Sequence, residues 1–193
     1  MPTAARTARP GAPGYQDVLD APPHMVAQII EGTLHTQPRP APPHALASSG
    51  LGYEVTGPFG RGIGGPGGWW ILDEPELHLG ADILVPDLAG WRRKNMPRFP
   101  KTAFFTTPPD WVCEVLSPAT KHIDLGPKRD IYAREGVSHI WFLDPDARTL
   151  DAFRLHTRQW HPIAALAGEA DVSVPPFQAI SFTLADLWIP EPD

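Results

Sequence analysis

The sequence predicts a mixed α/β (α+β) chain, with a parallel pair of strands inside a mixed β-sheet. Three features predict it. Short apolar runs with strand-like alternation recur between Pro- and Gly-rich breaks. Two segments, 42–55 and 123–135, have helical character. The second lies between two strand-like runs, 111–116 and 138–143, and a strand–helix–strand crossover of this kind places its two strands parallel.

At 193 residues, the chain suits one domain with short extensions. Residues 1–23 are rich in Ala, Pro and Arg, lack hydrophobic periodicity, and are expected to be a flexible leader. The domain is expected over 24–190, with 191–193 as a tail. The 25 prolines fall mainly in connections and near the ends, so they punctuate a fold and do not preclude one.

Met25–Ile30 and Thr33–His35 flank Glu31-Gly32, a hairpin signature. Pro42–Val55 is expected to be a helix with Pro in its first turn. GPFGRGIGGPGG, 57–68, lacks the GK[ST] ending of a phosphate loop and leads into an aromatic strand, so it is expected to be a flexible connection. Extended pieces are expected at Trp69–Leu72, Glu76–Leu79 and Asp82–Leu88. Trp111–Leu116 is a strand, Ile123–Glu135 a helix stopped by Gly136, and Ser138–Leu143 a second strand ended by Asp144-Pro145-Asp146. Thr149–Leu155 and Gln159–Ala165 form a hairpin. Phe177–Phe182 is expected to be a last strand, and Thr183–Trp188 a short helix capped by Thr183.

Net charge is −6, which argues against an extensive phosphate-binding footprint but leaves room for a local basic strip. The strip is WRRKNMPRFPK, 91–101, in which Arg92, Arg93, Lys94, Arg98 and Lys101 could meet phosphates, and Trp91 and Phe99 offer stacking surfaces. A solvated basic loop is the plainer reading. Cys113 is the single cysteine, which excludes a disulfide within the chain; it is expected to be a buried, small apolar side chain. No apolar run approaches the roughly 20 residues that span a bilayer, and the first residues lack a secretory apolar core, so a cytoplasmic location is expected.

The chemistry-bearing residues stand out by context. On WVCEVLS, Val112, Glu114 and Leu116 share one face, while Trp111, Cys113 and Val115 share the other. Glu114 is therefore a carboxylate among apolar neighbours, and burying it demands a cation, a metal or hydrogen-bond donors. A structural salt bridge is the bland alternative. In ADILVPDLAGW, Pro86-Asp87 interrupts an apolar run, and such strand breaks re-aim functional side chains; a turn aspartate is the bland reading. Asp124, Lys128 and Tyr132 are spaced by four, so they share a helix face; either Asp124–Lys128 is a surface pair or Lys128 points back toward Glu114. Two carboxylates brought together repel by about 4 kcal/mol at about 4 Å and an effective dielectric near 20. A divalent cation reverses that sign, and oxygen ligands suit Mg²⁺ or Mn²⁺.

These residues also carry a family resemblance. GGWWILDEPELHLGADILVPDLAGWRR and PPDWVCEVLSPATKHIDLGPKRDIYAREGVSHIWFLDP, with IIEGTLHTQPRPAPPH before them, closely resemble the Uma-two family of restriction-endonuclease-like proteins. That family is assigned to the PD-(D/E)XK nuclease superfamily. The resemblance covers roughly 25–190 and implies a restriction-endonuclease-like core, a mixed β-sheet flanked by helices. It implies Asp87 and Glu114 as metal-binding catalytic acids and Lys128 as the catalytic lysine, moved to the following helix because Leu116 stands where the motif has lysine. Glu31 and His44 match recurring polar positions, and Glu76 and His78 are further candidates; plain structural roles are open for all four.

The implied function is Mg²⁺- or Mn²⁺-dependent endonucleolytic hydrolysis of DNA, with a homodimer as the simplest way to cut two strands. The alternative is a catalytically silent nuclease-fold module for binding or regulation. Hydrolysis of another phosphoester is a third reading.

Overall fold

The computed structural model of the protein describes residues 11–190. The first ten residues of the expected leader, 1–10, and the tail, 191–193, lie outside these residues. Within the remainder of that leader, Tyr15–Leu19 forms a short helix (α1), and the Tyr15 ring meets His78 edge-on at 4.6 Å.

The first hairpin forms as its turn chemistry demands. Met25–Ile30 (β1) pairs antiparallel with Thr33–Pro38 (β2), and both turn residues have positive φ, Glu31 at 52° and Gly32 at 80°. Two left-handed residues in succession match the twist of the flanking strands, and glycine supplies the second without penalty. Pro42–Val55 (α2) is helical, with proline in its first turn, where a missing N–H costs nothing.

The glycine-rich segment is more ordered than its composition predicts. The helical path continues through Thr56–Arg61 as a wide turn, with Phe59 buried beneath it, and ends at Gly62 with φ 74°. The anchor is Phe59, whose ring packs on Phe177 at 4.6 Å.

Ten further strands follow. They are Trp69–Asp73 (β3), Leu77–Leu79 (β4), Asp82–Leu84 (β5), Leu88–Arg92 (β6), Trp111–Val115 (β7), His139–Asp144 (β8), Thr149–His156 (β9), Gln159–Ala167 (β10), Asp171–Val172 (β11) and Phe182–Thr183 (β12). The expected extended piece over Asp82–Leu88 is thus two strands in two sheets, parted at Val85-Pro86-Asp87, because Pro86 has no N–H to give a ladder. The main sheet runs β10-β9-β8-β7-β6-β3, and β7 and β8 are parallel, as the crossover requires. A smaller sheet runs β2-β1-β5-β4.

Between β7 and β8 the chain passes through Lys121–Ile123 (α3), a wide turn over Asp124–Lys128, and Arg129–Glu135 (α4), which ends at Gly136 with φ 81°. The expected single helix over Ile123–Glu135 is therefore broken. Gly126 leaves helical geometry (φ −106°, ψ −108°) and Pro127 cannot donate to the preceding turn. The last expected strand, Phe177–Phe182, reduces to β12, and Phe177 is instead buried in a turn. Leu184–Leu187 is a single 3₁₀ turn, without a side-chain cap from Thr183.

Two cores sandwich the main sheet. Trp111, Cys113 and Val115 face one, with α2 and Phe177; Val112 and Leu116 face the other, with Ile131 and Tyr132 of α4 and Leu77 and Leu84 of the small sheet. This is the alternation expected for β7. Cys113 is fully buried. Trp91 is fully buried too, and its Nε1–H donates to the Thr107 carbonyl at 2.9 Å, so it offers no stacking surface. No helix among the described residues is long and apolar enough to cross a membrane.

Candidate active site

The break between β5 and β6 positions Asp87. Val85 N–H is taken by the Gln28 side chain at 2.9 Å, and the Asp87 carbonyl accepts Glu74 N–H at 3.0 Å. Both ends of the break are therefore held, and the Asp87 side chain turns toward β7. Its Oδ2 accepts the Val115 backbone N–H at 2.7 Å, while Oδ1 lies 3.3 Å from His44 Nε2.

Glu114 stands between Val112 and Leu116 on the α4 side of β7 and is 1 % exposed. Two donors meet it: Lys128 Nζ donates to Oε2 at 2.7 Å, and Tyr132 Oη to Oε1 at 2.6 Å. Lys128 is 2 % exposed and also lies 3.2 Å from Asp124 Oδ1, itself buried. Asp124–Lys128 is thus a buried pair facing the sheet, not a surface pair. The Gly126-Pro127 break does not disperse the four-residue spacing: Asp124, Lys128 and Tyr132 all sit inward.

The charge balance is uneven. Three carboxylates (Asp87, Glu114 and Asp124) act on one another, and Lys128 is the ammonium among them. Burial, against the counter-pull of Lys128 and with the push of Asp124 and Asp87, raises the Glu114 pKa from 4.5 to about 8. Burial works against the charged form of Lys128, but Glu114 and Asp124 outweigh it and hold the ammonium above its ordinary range. Burial, then Glu114, pushes the Tyr132 phenol well up, so it remains a donor. For His44, burial favours the neutral ring, yet the bond to Asp87 and its charge prevail and the pKa is raised. His44 Nδ1 is buried without a hydrogen-bond partner.

These groups line a cleft of about 340 Å³. Asp87, Glu114 and Lys128 all border it, as do His44, Asp124, Arg39, Glu74, Ser117 and Thr120. The other candidates lie elsewhere. Glu31 is an exposed turn residue whose N–H donates to Asp82 at 2.6 Å. Glu76 and His78 pair with each other at 2.7 Å, and His78 stacks on Phe104 at 3.8 Å, so they anchor α1. The basic run is remote: Asp87 precedes β6 and Arg92 ends it, so about 17 Å of extended strand separates them. The roles that went unassigned from sequence belong to Asp124 and Tyr132. Their signal was the four-residue spacing with Lys128, which marks a shared face but not whether that face is buried.

A divalent cation is chemically compatible with this donor set. Among the described residues, no group of three or more His, Cys, Asp or Glu side chains forms a ready metal cage. Mg²⁺ does not require one, since it is commonly held by one or two carboxylates, waters and substrate phosphate. A buried site with more carboxylates than cations is the setting in which a dication offsets repulsion.

Comparison with known proteins agrees with this architecture. A family model described as "Uma2: Putative restriction endonuclease" matches residues 15–185. The crystal structure of a protein from Anabaena variabilis, described as "a putative nuclease belonging to DUF820", superposes with a TM-score of 0.72 at 22 % identity, over 91 % of this chain and 97 % of that one. At that identity the likeness concerns the fold. None of the curated proteins matches this chain.

Proposed function

The chain belongs to the Uma2 family, and from that membership and the chemistry of the cleft we propose that it is a nuclease that hydrolyses DNA phosphodiester bonds with Mg²⁺ or Mn²⁺. Asp87 and Glu114 are the proposed metal-binding acids, and Lys128 the proposed catalytic lysine. One observation carries the reading: Lys128 Nζ, 2.7 Å from Glu114, borders the same cleft as Asp87, which is bonded to the residue directly after Glu114.

Hydrolysis adds water across a P–O bond: the water oxygen joins phosphorus, the ester oxygen leaves, and that leaving group takes up a proton. A bound dication supplies Lewis acidity, polarising a phosphoryl oxygen and acidifying water. The chain's own groups do the rest. Val115 N–H fixes one oxygen of Asp87 and so orients the other. Tyr132 and Lys128 hold the Glu114 carboxyl in one rotamer. Lys128, kept cationic by its two acidic neighbours, presents positive charge where negative charge grows on the phosphoryl group. The flanking core on β7 limits water around the acids and strengthens these interactions. A homodimer would bring two such clefts to two strands.

The test is conversion of supercoiled plasmid to nicked or linear DNA. Cleavage is expected with Mg²⁺ or Mn²⁺, and its loss with a chelator, in Asp87→Ala and in Glu114→Ala. A second reading, a catalytically silent module for binding or regulation, has one observation in its favour. Both Glu114 oxygens already accept a hydrogen bond from the protein's own side chains. Intact metal affinity without cleavage of any nucleic acid or other phosphoester would select it.

A further inference from the structure

Among the described residues, several cations that form no ion pair lie at the end of the main sheet opposite the cleft. β6 and β9 run toward that end; β7, β8 and β10 start from it. The register builds a transverse row there. His161 on β10 is opposite Arg154 on β9, Arg154 is opposite His139 on β8, and His139 is opposite Trp111 on β7. On β6 the row meets Gly90, opposite Trp111, and Arg92 lies two residues further toward the sheet's end, its guanidinium 4.5 Å above the ring of its β3 partner Trp69.

Face parity places the two arginines together. Leu150 and Ala152 face the Trp111 core, so Arg154 continues that face of β9; Leu88 does the same for Arg92 on β6. Burial, then the charges of Arg154 and Arg92, bring His139 down to about 4, so both guanidiniums act on that ring.

The loop after β6 carries further cations round the end of the sheet toward its other face, where Trp70 packs on the second core. Lys94, Arg98 and Lys101 are exposed. Arg93 is fixed by Gly60 and Trp69 carbonyls and lies 4.1 Å over Trp70. Phe99, 47 % exposed, meets Trp70 edge-on at 5.4 Å. Among the described residues, Arg39, Lys121, Lys128 and Arg134 have carboxylate partners. None of the cations of 92–101, nor Arg154, forms an ion pair. Asp110, beside Arg92, spends its two oxygens on Arg92 N–H and the Asn95 amide.

We propose that this end of the sheet is a second nucleic-acid site, which grips the sugar–phosphate backbone about 17 Å from the cleft and independently of hydrolysis. From β6 to β10 the row spans four strand spacings, about 19 Å, and a nucleic-acid strand carries a charge about every 3.4 Å of axis, so several phosphates fit along it. Unpaired cations give up no protein ion pair on meeting phosphate. Arginines held over indole rings are preset in direction, and exposed Phe99 offers a face for a base. The net charge of −6 makes this local concentration the more selective, because the acidic cleft repels the same backbone unless a dication is present.

Binding is measured by fluorescence anisotropy on the full chain in chelator, with labelled duplex and single-stranded oligonucleotides, so cleavage does not enter. The combined variant Lys94→Glu/Arg98→Glu/Lys101→Glu/Arg154→Glu is expected to weaken binding at least tenfold and to lower the salt slope by about 3 or more. Thr33→Ala, at an exposed position on β2 of the small sheet, is expected to bind as the parent does. The milder Lys94→Gln/Lys101→Gln pair, with its melting temperature checked, is expected to give a smaller loss in the same direction. Equal affinity in parent and both patch variants would overturn the proposal. So would competition by phosphatidylserine vesicles at lower charge concentration than DNA, which would assign the patch to an anionic membrane. A plasmid assay without cleavage leaves this result unaffected.

Discussion

Asp87 Oδ2 accepts the backbone N–H of Val115 at 2.7 Å, so an acid from the break before β6 is fastened to the residue that follows Glu114. The bond joins neighbouring strands at the point where β6–β7 pairing ends, after Leu88↔Cys113. It continues the sheet with a side chain and sets the spacing between two acids 27 residues apart in sequence.

Removing that acceptor should therefore have two separable effects. Asp87→Ala leaves Val115 N–H without its partner and is expected to cost about 1–3 kcal/mol in urea denaturation. Asp87→Asn keeps an acceptor oxygen and should cost less. Both should lose metal-dependent cleavage, because both remove the charge. Equal stability of Asp87→Ala and the parent would show that the bond contributes nothing to the fold.

The Glu114–Lys128 pair should behave as a buried unit. At about pH 9, above the folded Glu114 value of about 8, Lys128→Met leaves Glu114 either an unpaired buried carboxylate or a proton held against the solvent, and is expected to cost about 3–5 kcal/mol. Adding Glu114→Gln should recover part of that loss, since the amide needs no counter-charge. A urea-denaturation cycle of parent, two single variants and the double measures the coupling. Additive single effects would contradict the pairing.

Stability should fall as pH rises from 6.5 to 8. Glu114 titrates near 8 when folded, against 4.5 ordinarily. Between those values the folded state keeps a proton that the unfolded chain has released, so stability declines as pH rises. His139 works oppositely: its folded value near 4 lies below 6.5, so its contribution rises with pH across that interval. The two partly cancel below 6.5, which leaves the window from 6.5 to 8 as the diagnostic one. His44, raised by Asp87 in spite of burial, adds a decline of the same sign. Comparing Glu114→Gln with the parent isolates the Glu114 share, and the variant should show the shallower fall. Parallel curves across the window would contradict it.

Much of this architecture was legible because local rules agreed with the tertiary outcome. Glu31-Gly32 announced its turn, and the alternation on Trp111–Val115 separated two cores before any packing was known. Pro86 marked the break that aims Asp87. Other features depended on distant partners. Phe59 orders the glycine-rich segment by packing on Phe177, 118 residues away. Trp91 sits in a basic run but on an inward-facing strand position, so composition pointed to the surface and register to the core. The Gly126-Pro127 break was visible as residues, yet only the sheet beneath shows that Asp124, Lys128 and Tyr132 remain on the buried side. His44 matched a recurring position, but its contact with Asp87 comes from how α2 crosses the sheet.

The central claim is that Asp87 and Glu114 jointly hold a divalent cation. Anomalous diffraction from crystals soaked in Mn²⁺ tests it directly. The expected result is one strong peak in contact with both carboxylates, absent in Asp87→Ala crystals. Saturating Mn²⁺ with no peak at those two acids, or the same peak in the Asp87→Ala crystals, would contradict it.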